Sequence, residues 1–133
     1  MTKCEMRTNI NCDVQKVWKV VTNIKEYAWR SDLSKVDIVD ECQFIEYTRK
    51  GYATTFSIIE KTPCSYFSFT MENNMIKGHW SGRFIEKGEQ TEIIFTEDVT
   101  AKKLIIKPFI KSYLKKQQNK YISDLQEKID RIL

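Results

Sequence analysis

Ile10-Asn11-Cys12-Asp13-Val14-Gln15-Lys16-Val17-Trp18-Lys19-Val20-Val21 is the stretch in which this sequence changes period. Ahead of it, Lys3 to Ile10 alternates weakly, as a strand does. Within it, Val14, Val17, Trp18 and Val21 fall at i, i+3, i+4 and i+7, the spacing of one helix face. Asn11 is the expected N-cap, and Asp13 puts negative charge in the first turn, where the helix dipole favours it. A second short helix is expected over Ile24–Trp29, with Asn23 as its cap.

Beyond these helices the pattern is strand after strand. Val36–Val39, Phe44–Arg49, Tyr52–Lys61, Tyr66–Glu72, Ile76–Glu86 and Thr91–Thr100 are rich in β-branched and aromatic residues. Short turn segments such as Lys50-Gly51, Thr62-Pro63-Cys64-Ser65 and Asn73-Asn74 separate them, so the strands form an antiparallel meander. With the opening strand the sheet has seven members. The tail returns to helical spacing. Ile106, Phe109, Ile110, Tyr113 and Leu114 share one face, with Pro108 near the start. Tyr121, Ile122, Leu125, Ile129 and Ile132 mark a second apolar stripe, rotated from the first across Lys115–Asn119. No helix breaker intervenes, so one long curved or kinked helix is expected.

A twisted antiparallel sheet of this size has an apolar concave face that needs cover. Only the last helix is long enough to cover it; roughly 25 residues span about 38 Å. A sheet curved around a helix seldom closes fully, and a cavity between the two is the natural consequence. The fold class is therefore α+β, with residues 1–133 as a single domain.

Composition narrows the function. The 133 residues carry 22 basic and 18 acidic side chains, for a net charge of +4. With 41% hydrophobic residues the chain belongs among ordinary globular domains. His79 is the single histidine, which excludes a multi-histidine metal site, and the four glycines leave no P-loop or dinucleotide fingerprint. No metal or cofactor is expected. Cys4, Cys12, Cys42 and Cys64 form no Cys-x-x-Cys pair, and the charged start Met1–Glu5 lacks the apolar stretch of a signal peptide. No window approaches the ~18 apolar residues of a membrane span. The expectation is a cytoplasmic protein with reduced thiols and no stable membrane insertion.

Several motifs, in order, resemble one superfamily. Ile10-Asn11-Cys12-Asp13-Val14-Gln15-Lys16-Val17-Trp18 is similar to the Ile-x-Ala-Pro-x-Glu-x-Val-Trp opening of the SRPBCC (START-like) proteins, with Asp13 in place of the common proline. Thr22-Asn23-Ile24-Lys25-Glu26-Tyr27-Ala28-Trp29 resembles their Thr-Asp…Tyr…Trp segment. Gly78-x-Trp80 with Gly88-x-x-Thr91-x-Ile93 resembles their penultimate hairpin, and Leu125–Ile129 their helical end. The resemblance spans essentially the whole chain. It implies the helix-grip fold: a seven-stranded antiparallel sheet wrapped around the C-terminal helix, with two short helices between strands 1 and 2. That fold hosts lipid-transfer domains, polyketide cyclase/dehydrase-like enzymes and protein-interaction modules, so function must come from the site.

Strand parity selects the candidates. Ile76, Gly78, Trp80, Gly82 and Phe84 share one face of their strand, and His79 lies on the other. Gly78 and Gly82 beside Trp80 would leave room on the inner face. Phe95 and Glu97 share the inner face of the last strand, with Phe56, Phe69 and Met71 as further lining. Phe109 and Tyr113 would complete the wall from the last helix. Glu97 is the one weak candidate for acid–base chemistry, because a carboxylate facing an apolar cavity has a raised pKa; the alternative is a structural carboxylate. Tyr27, Trp29 and Arg30 fall where the resemblance places a cavity rim. There Tyr27 and Trp29 would gate entry and Arg30 would meet an anionic head group. Otherwise Trp29 plugs the sheet edge and Arg30 pairs with Asp32.

Charge is uneven. Residues 102–133 hold nine basic and three acidic groups, and no acidic residue lies between Lys102 and Lys120. A charge run of this kind is most simply the solvated face of a helix, and no arginine–aromatic surface accompanies it, so nucleic acid is not an expected partner. The reading that follows is binding of a small lipophilic or aromatic molecule without catalysis. Alternatives are a polyketide cyclase/dehydrase-like enzyme using Glu97 and an interaction module resembling activators of the heat-shock chaperone ATPase. Oligomeric state is left open.

Overall fold

A computed structural model describes residues 2–133. The element order is β1 (Thr2–Ile10), α1 (Val14–Thr22), β2 (Leu33–Ile38), β3 (Gln43–Thr48), β4 (Ala53–Thr62), β5 (Tyr66–Glu72), β6 (Ile76–Lys87), β7 (Gln90–Ala101), a 3-10 segment (Leu104–Phe109) and α2 (Ile110–Ile132). The sheet runs β1-β7-β6-β5-β4-β3-β2, antiparallel throughout. First and last strands are neighbours, so α1 and its following loop carry the chain to the opposite edge. Register shifts at Ser34 in β2 and Ile59 in β4 add local twist that helps curve the sheet. This is the helix-grip arrangement expected from the sequence.

The concave face is the core. Ile10, Val17, Phe67, Phe95, Leu125 and Ile129 have almost no exposure. Helix α1 buries Val14, Val17 and Val21, while Trp18 meets Phe84 edge-on at 5.1 Å. Its N-cap is Asp13, not Asn11: the Asp13 carboxylate accepts from the Lys16 N–H at 3.0 Å. The expected second helix over Ile24–Trp29 does not form. Isolated turn bonds such as Arg30 N–H to Tyr27 C=O (2.9 Å) replace it, and Asn23 closes α1 rather than opening a helix. So short a segment gains too few helical bonds to offset nucleation, and the packing of Trp29 and Arg30 against α2 decides its course.

Helix α2 is continuous through Lys115–Asn119, but it begins at Ile110. Leu104–Phe109, which carries Pro108, is wound as the tighter 3-10 form. The buried stripe of α2 is Ile110, Leu114, Gln118, Ile122, Leu125 and Ile129, so what reads as two rotated stripes is one stripe containing a glutamine.

The space expected beside Gly82 is occupied. A Cβ there would lie 2.5 Å from the Trp80 ring and 3.1 Å from Phe95, because the indole folds back over the glycine. Gly82→Ala is therefore expected to lower stability by about 1–3 kcal/mol through overpacking, read from a urea melt. An unchanged midpoint would mean that the indole does not lie against Gly82.

Candidate functional site

A cavity of about 120 Å³ lies between the concave face, α2 and the loop after α1. Its floor is aromatic, because β4, β5, β6 and β7 each turn a ring inward at alternate positions. Phe44 stacks on Phe56 at 5.0 Å and Phe69 on Trp80 at 4.7 Å; the Phe56–Phe69 contact joins the two stacks and the Trp80–Phe95 contact extends them. Met71, Phe67, Leu33 and Val36 fill the edges.

Three polar side chains meet over this floor from separate elements. Glu97 of β7 pairs in register with Trp80 and with Cys4 of β1. Its Oε1 accepts from Gln118 Nε2 at 3.1 Å. The same amide nitrogen donates to the Cys4 carbonyl at 3.3 Å, and the Cys4 thiol donates to Gln118 Oε1 at 3.5 Å. Glu97 lines the cavity and has no ion pair among the described residues. Burial pushes its pKa up to about 7, against the opposing pull of the Gln118 hydrogen bond and the more distant Arg30. Burial, helped by Glu97, also raises the Cys4 thiol.

The second polar group closes the rim. Arg30 donates to both carboxylate oxygens of Asp32 (3.1 and 3.0 Å) and to Glu46 (3.3 Å), with its guanidinium 4.7 Å from the Tyr121 ring. Burial opposes its charge, yet Glu46, Tyr121 and Asp32 outweigh burial and raise its pKa further. Burial also raises Glu46, with Arg30 opposing, and raises Tyr121. Arg30 is thus committed inside the protein, and the expectation that it meets an anionic head group is replaced by this internal pairing. Trp29 packs edge-on against Tyr121 at 5.2 Å and forms wall rather than an open gate. Tyr27 lines the same side.

A part-buried latch holds the loop down. Asp124 of α2 accepts from both the backbone N–H (2.8 Å) and the hydroxyl (2.9 Å) of Ser31. Asp124→Ala is expected to cost about 1.5–3 kcal/mol. It should raise amide exchange over residues 24–32 well before the sheet responds; uniform exchange across both would show that Asp124 does not hold the loop.

Of the residues singled out from sequence, Tyr27, Trp29, Arg30, Phe56, Phe69, Met71, Trp80, Phe95 and Glu97 lie together on the cavity wall. Phe109 and Tyr113 do not. Phe109 is exposed (68%) and Tyr113 partly so (46%), because the buried stripe passes through Ile110 and Leu114 instead; the Tyr113 hydroxyl turns back to the cavity edge, where it accepts from Gln117, and burial with nearby Glu97 raises its pKa. Gln118, Tyr121 and Glu46 belong to the wall and were missed. Gln118 stands four residues after Leu114 and four before Ile122, a polar residue on an apolar stripe, and Glu46 shares β3 parity with Phe44. Those were readable signals. Among the described residues no group of histidine, cysteine or acidic side chains is placed to hold a metal ion.

Comparison with known proteins agrees with this architecture. No curated protein matches the chain in sequence. Among solved structures, a START superfamily protein from Mycobacterium smegmatis superposes with TM-score 0.90 at 10% identity, covering 98% of this chain and 99% of that one. The Zhui aromatase/cyclase from Streptomyces sp. R1128 gives 0.88 at 12% identity, with 98% and 94% covered. A conserved protein from Geobacillus kaustophilus gives 0.85 at 10% identity, with 98% and 96% covered. At such identities these structures share a fold with this chain. The family model described as polyketide cyclase / dehydrase and lipid transport matches residues 1–130. The chain belongs to the polyketide cyclase/dehydrase and lipid transport family.

Proposed function

We propose that the protein binds a small lipophilic or aromatic molecule in this cavity, without chemical turnover, and that Glu97 with Gln118 orients it. The observation that carries this reading is an aromatic cavity whose one part-buried carboxylate without an ion-pair partner among the described residues, Glu97, is held near its protonation midpoint at neutral pH. Volume limits the occupant. A dry cavity of ~150 Å³ accepts benzene, so about 120 Å³ suits one ring or a short chain, and a larger ligand would project through the cavity's open side. A neutral molecule with a hydroxyl or carbonyl fits best: Glu97 accepts from the first when ionised and donates to the second when protonated.

Native mass spectrometry of protein purified from its source, with melting curves against single-ring phenols, indole and short-chain alcohols, tests this. The expected result is a retained small molecule or, at 100-fold excess over Kd, a stabilisation of about 2.7 kcal/mol, roughly 8 °C for this size. A consistently empty protein unmoved by the whole panel would overturn it. One observation favours a second reading, a cyclase/dehydrase-like enzyme: a pKa of about 7 suits Glu97 as a general acid or base. That reading requires a bound ligand to return chemically changed, and to return unchanged from Glu97→Gln.

A further inference from the structure

We infer that the 3-10 segment and the first turns of α2 form a docking surface for an anionic phospholipid membrane. Leu104 and Ile105 are 86% and 79% exposed, far more than large aliphatic residues require in a connection of this length. Phe109 and Tyr113 extend the apolar crest along one side at four-residue spacing. Met75, also exposed, joins at the same end, since its carbonyl accepts from the Lys102 N–H at 2.9 Å.

Lysines surround this crest. Lys103, Lys107, Lys111, Lys115, Lys116 and Lys120 are exposed, and among the described residues none of them has an ion-pair partner. Lys102 differs, being paired with Glu72 at 2.7 Å. No acidic residue occurs between Asp98 and Asp124. Apolar side chains at the tip of a surround that is cationic except for Glu72, itself neutralised by Lys102, match a bilayer whose interior takes the former and whose anionic head groups take the latter. A second copy of the chain fits poorly, because an isologous contact would face lysines with lysines. A nucleic-acid backbone would leave Leu104 and Ile105 uncovered. No helix among the described residues is long and apolar enough to cross a membrane, so the contact is peripheral.

The surface leads towards the cavity. Phe109, Tyr113 and Gln117 succeed one another at four-residue spacing, and Gln117 both lines the cavity and donates to the Tyr113 hydroxyl at 2.7 Å. Docking would therefore set the cavity's α2 rim close to the lipid. The inference itself does not depend on what the cavity holds.

Co-sedimentation with vesicles of pure phosphatidylcholine, and of phosphatidylcholine with 30% phosphatidylglycerol, tests it at 0.1 M salt. Binding to the anionic vesicles should exceed binding to the neutral ones by at least roughly tenfold and weaken at 0.5 M salt. Lys107→Glu with Lys111→Glu should reduce it on the order of 25-fold or more. Leu104→Ser with Ile105→Ser should reduce it by about tenfold or more. All four side chains are exposed, so unchanged circular dichroism and melting temperature are expected in both variants. Equal affinity for the two vesicle types, or indifference to the Leu104/Ile105 changes, would overturn the inference. So would tighter retention on single-stranded RNA than on the vesicles, the result expected of a nucleic-acid surface.

Discussion

Arg30→Met should remove about 3–5 kcal/mol of stability at pH 8, the largest loss we expect from any single change at the cavity rim. The reason is what it leaves behind. Arg30 is the shared partner of Asp32 and Glu46, and the three side chains are only 14–21% exposed. Without the guanidinium, two carboxylates face one another with little water to separate them. The deficit should also depend on pH. Burial already raises Glu46, and Arg30 is the main group opposing that rise. Removing Arg30 lifts the folded-state pKa further, so the folded variant holds a proton that the unfolded chain releases. Stability associated with that proton is present below the unfolded pKa and lost as pH rises through the folded one. Urea melts at pH 5 and pH 8 should accordingly show a smaller deficit at pH 5. Arg30→Met combined with Glu46→Gln should recover part of the loss at pH 8. A deficit below 1 kcal/mol at both pH values would show that this cluster does not hold the rim.

Glu97→Gln should act in the opposite direction and stabilise the protein at pH 8 by about 2–3 kcal/mol. Burial raises Glu97 from an ordinary 4.5 to about 7 in the folded chain. Between those values the folded state binds a proton that the unfolded state has lost. The favourable contribution is complete below about 4.5 and gone above about 7, so the wild type loses stability across that window. Glutamine keeps the oxygen that accepts from Gln118 and carries no charge to bury. The variant's stability should be flatter from pH 4.5 to 8, with the two proteins nearly equal at the acid end. Equal stability at pH 8 would place the ionised carboxylate in water. A protein that gains stability when this residue is neutralised retains a group whose cost is unrelated to folding, the pattern seen where a site is maintained for a ligand.

How much of this was legible in the sequence depends on the kind of signal. Period changes are robust, because a strand of alternating residues and a helix at i, i+3, i+4 spacing bury different faces. Ile10–Val21 and the strand series after Ser34 therefore carry the element order, while the helix-grip fold is what the resemblance to the SRPBCC proteins implies. Parity put Trp80, Phe95 and Glu97 on one side of the sheet, and their strands do pair in the register that brings Trp80 opposite Glu97. Local propensity was weaker. Ile24–Trp29 reads as helical, but its conformation is set by partners far away in sequence, Asp124 and Tyr121 among them.

The missed residues share a cause. Gln118 and Glu46 are polar positions on faces that otherwise read as apolar, and a search for apolar periodicity steps over such residues. Their partners, Glu97 and Arg30, lie 21 and 16 residues away, so no local window contains a pair. Phe109 and Tyr113 failed in the reverse sense. Their spacing matches Ile106 and Ile110 well enough to suggest a shared buried face. The 3-10 winding of Leu104–Phe109, however, changes the angular step ahead of α2 and leaves Phe109 outside, and within α2 the buried stripe runs through Ile110 and Leu114 and puts the Tyr113 ring at its edge.

Glu97 sits at an apolar cavity where its charge is disfavoured, and there we propose that a ligand meets it. A ¹³C carboxyl NMR titration of Glu97, in the free protein and saturated with a single-ring phenol that raises its melting temperature, tests this most directly. The free protein should show a midpoint near 7, and the bound protein a midpoint displaced by a pH unit or more as the ligand's hydroxyl engages the carboxylate. A midpoint near the ordinary 4.5 that stays where it is when ligand binds would show that neither the cavity nor a ligand acts on this carboxylate.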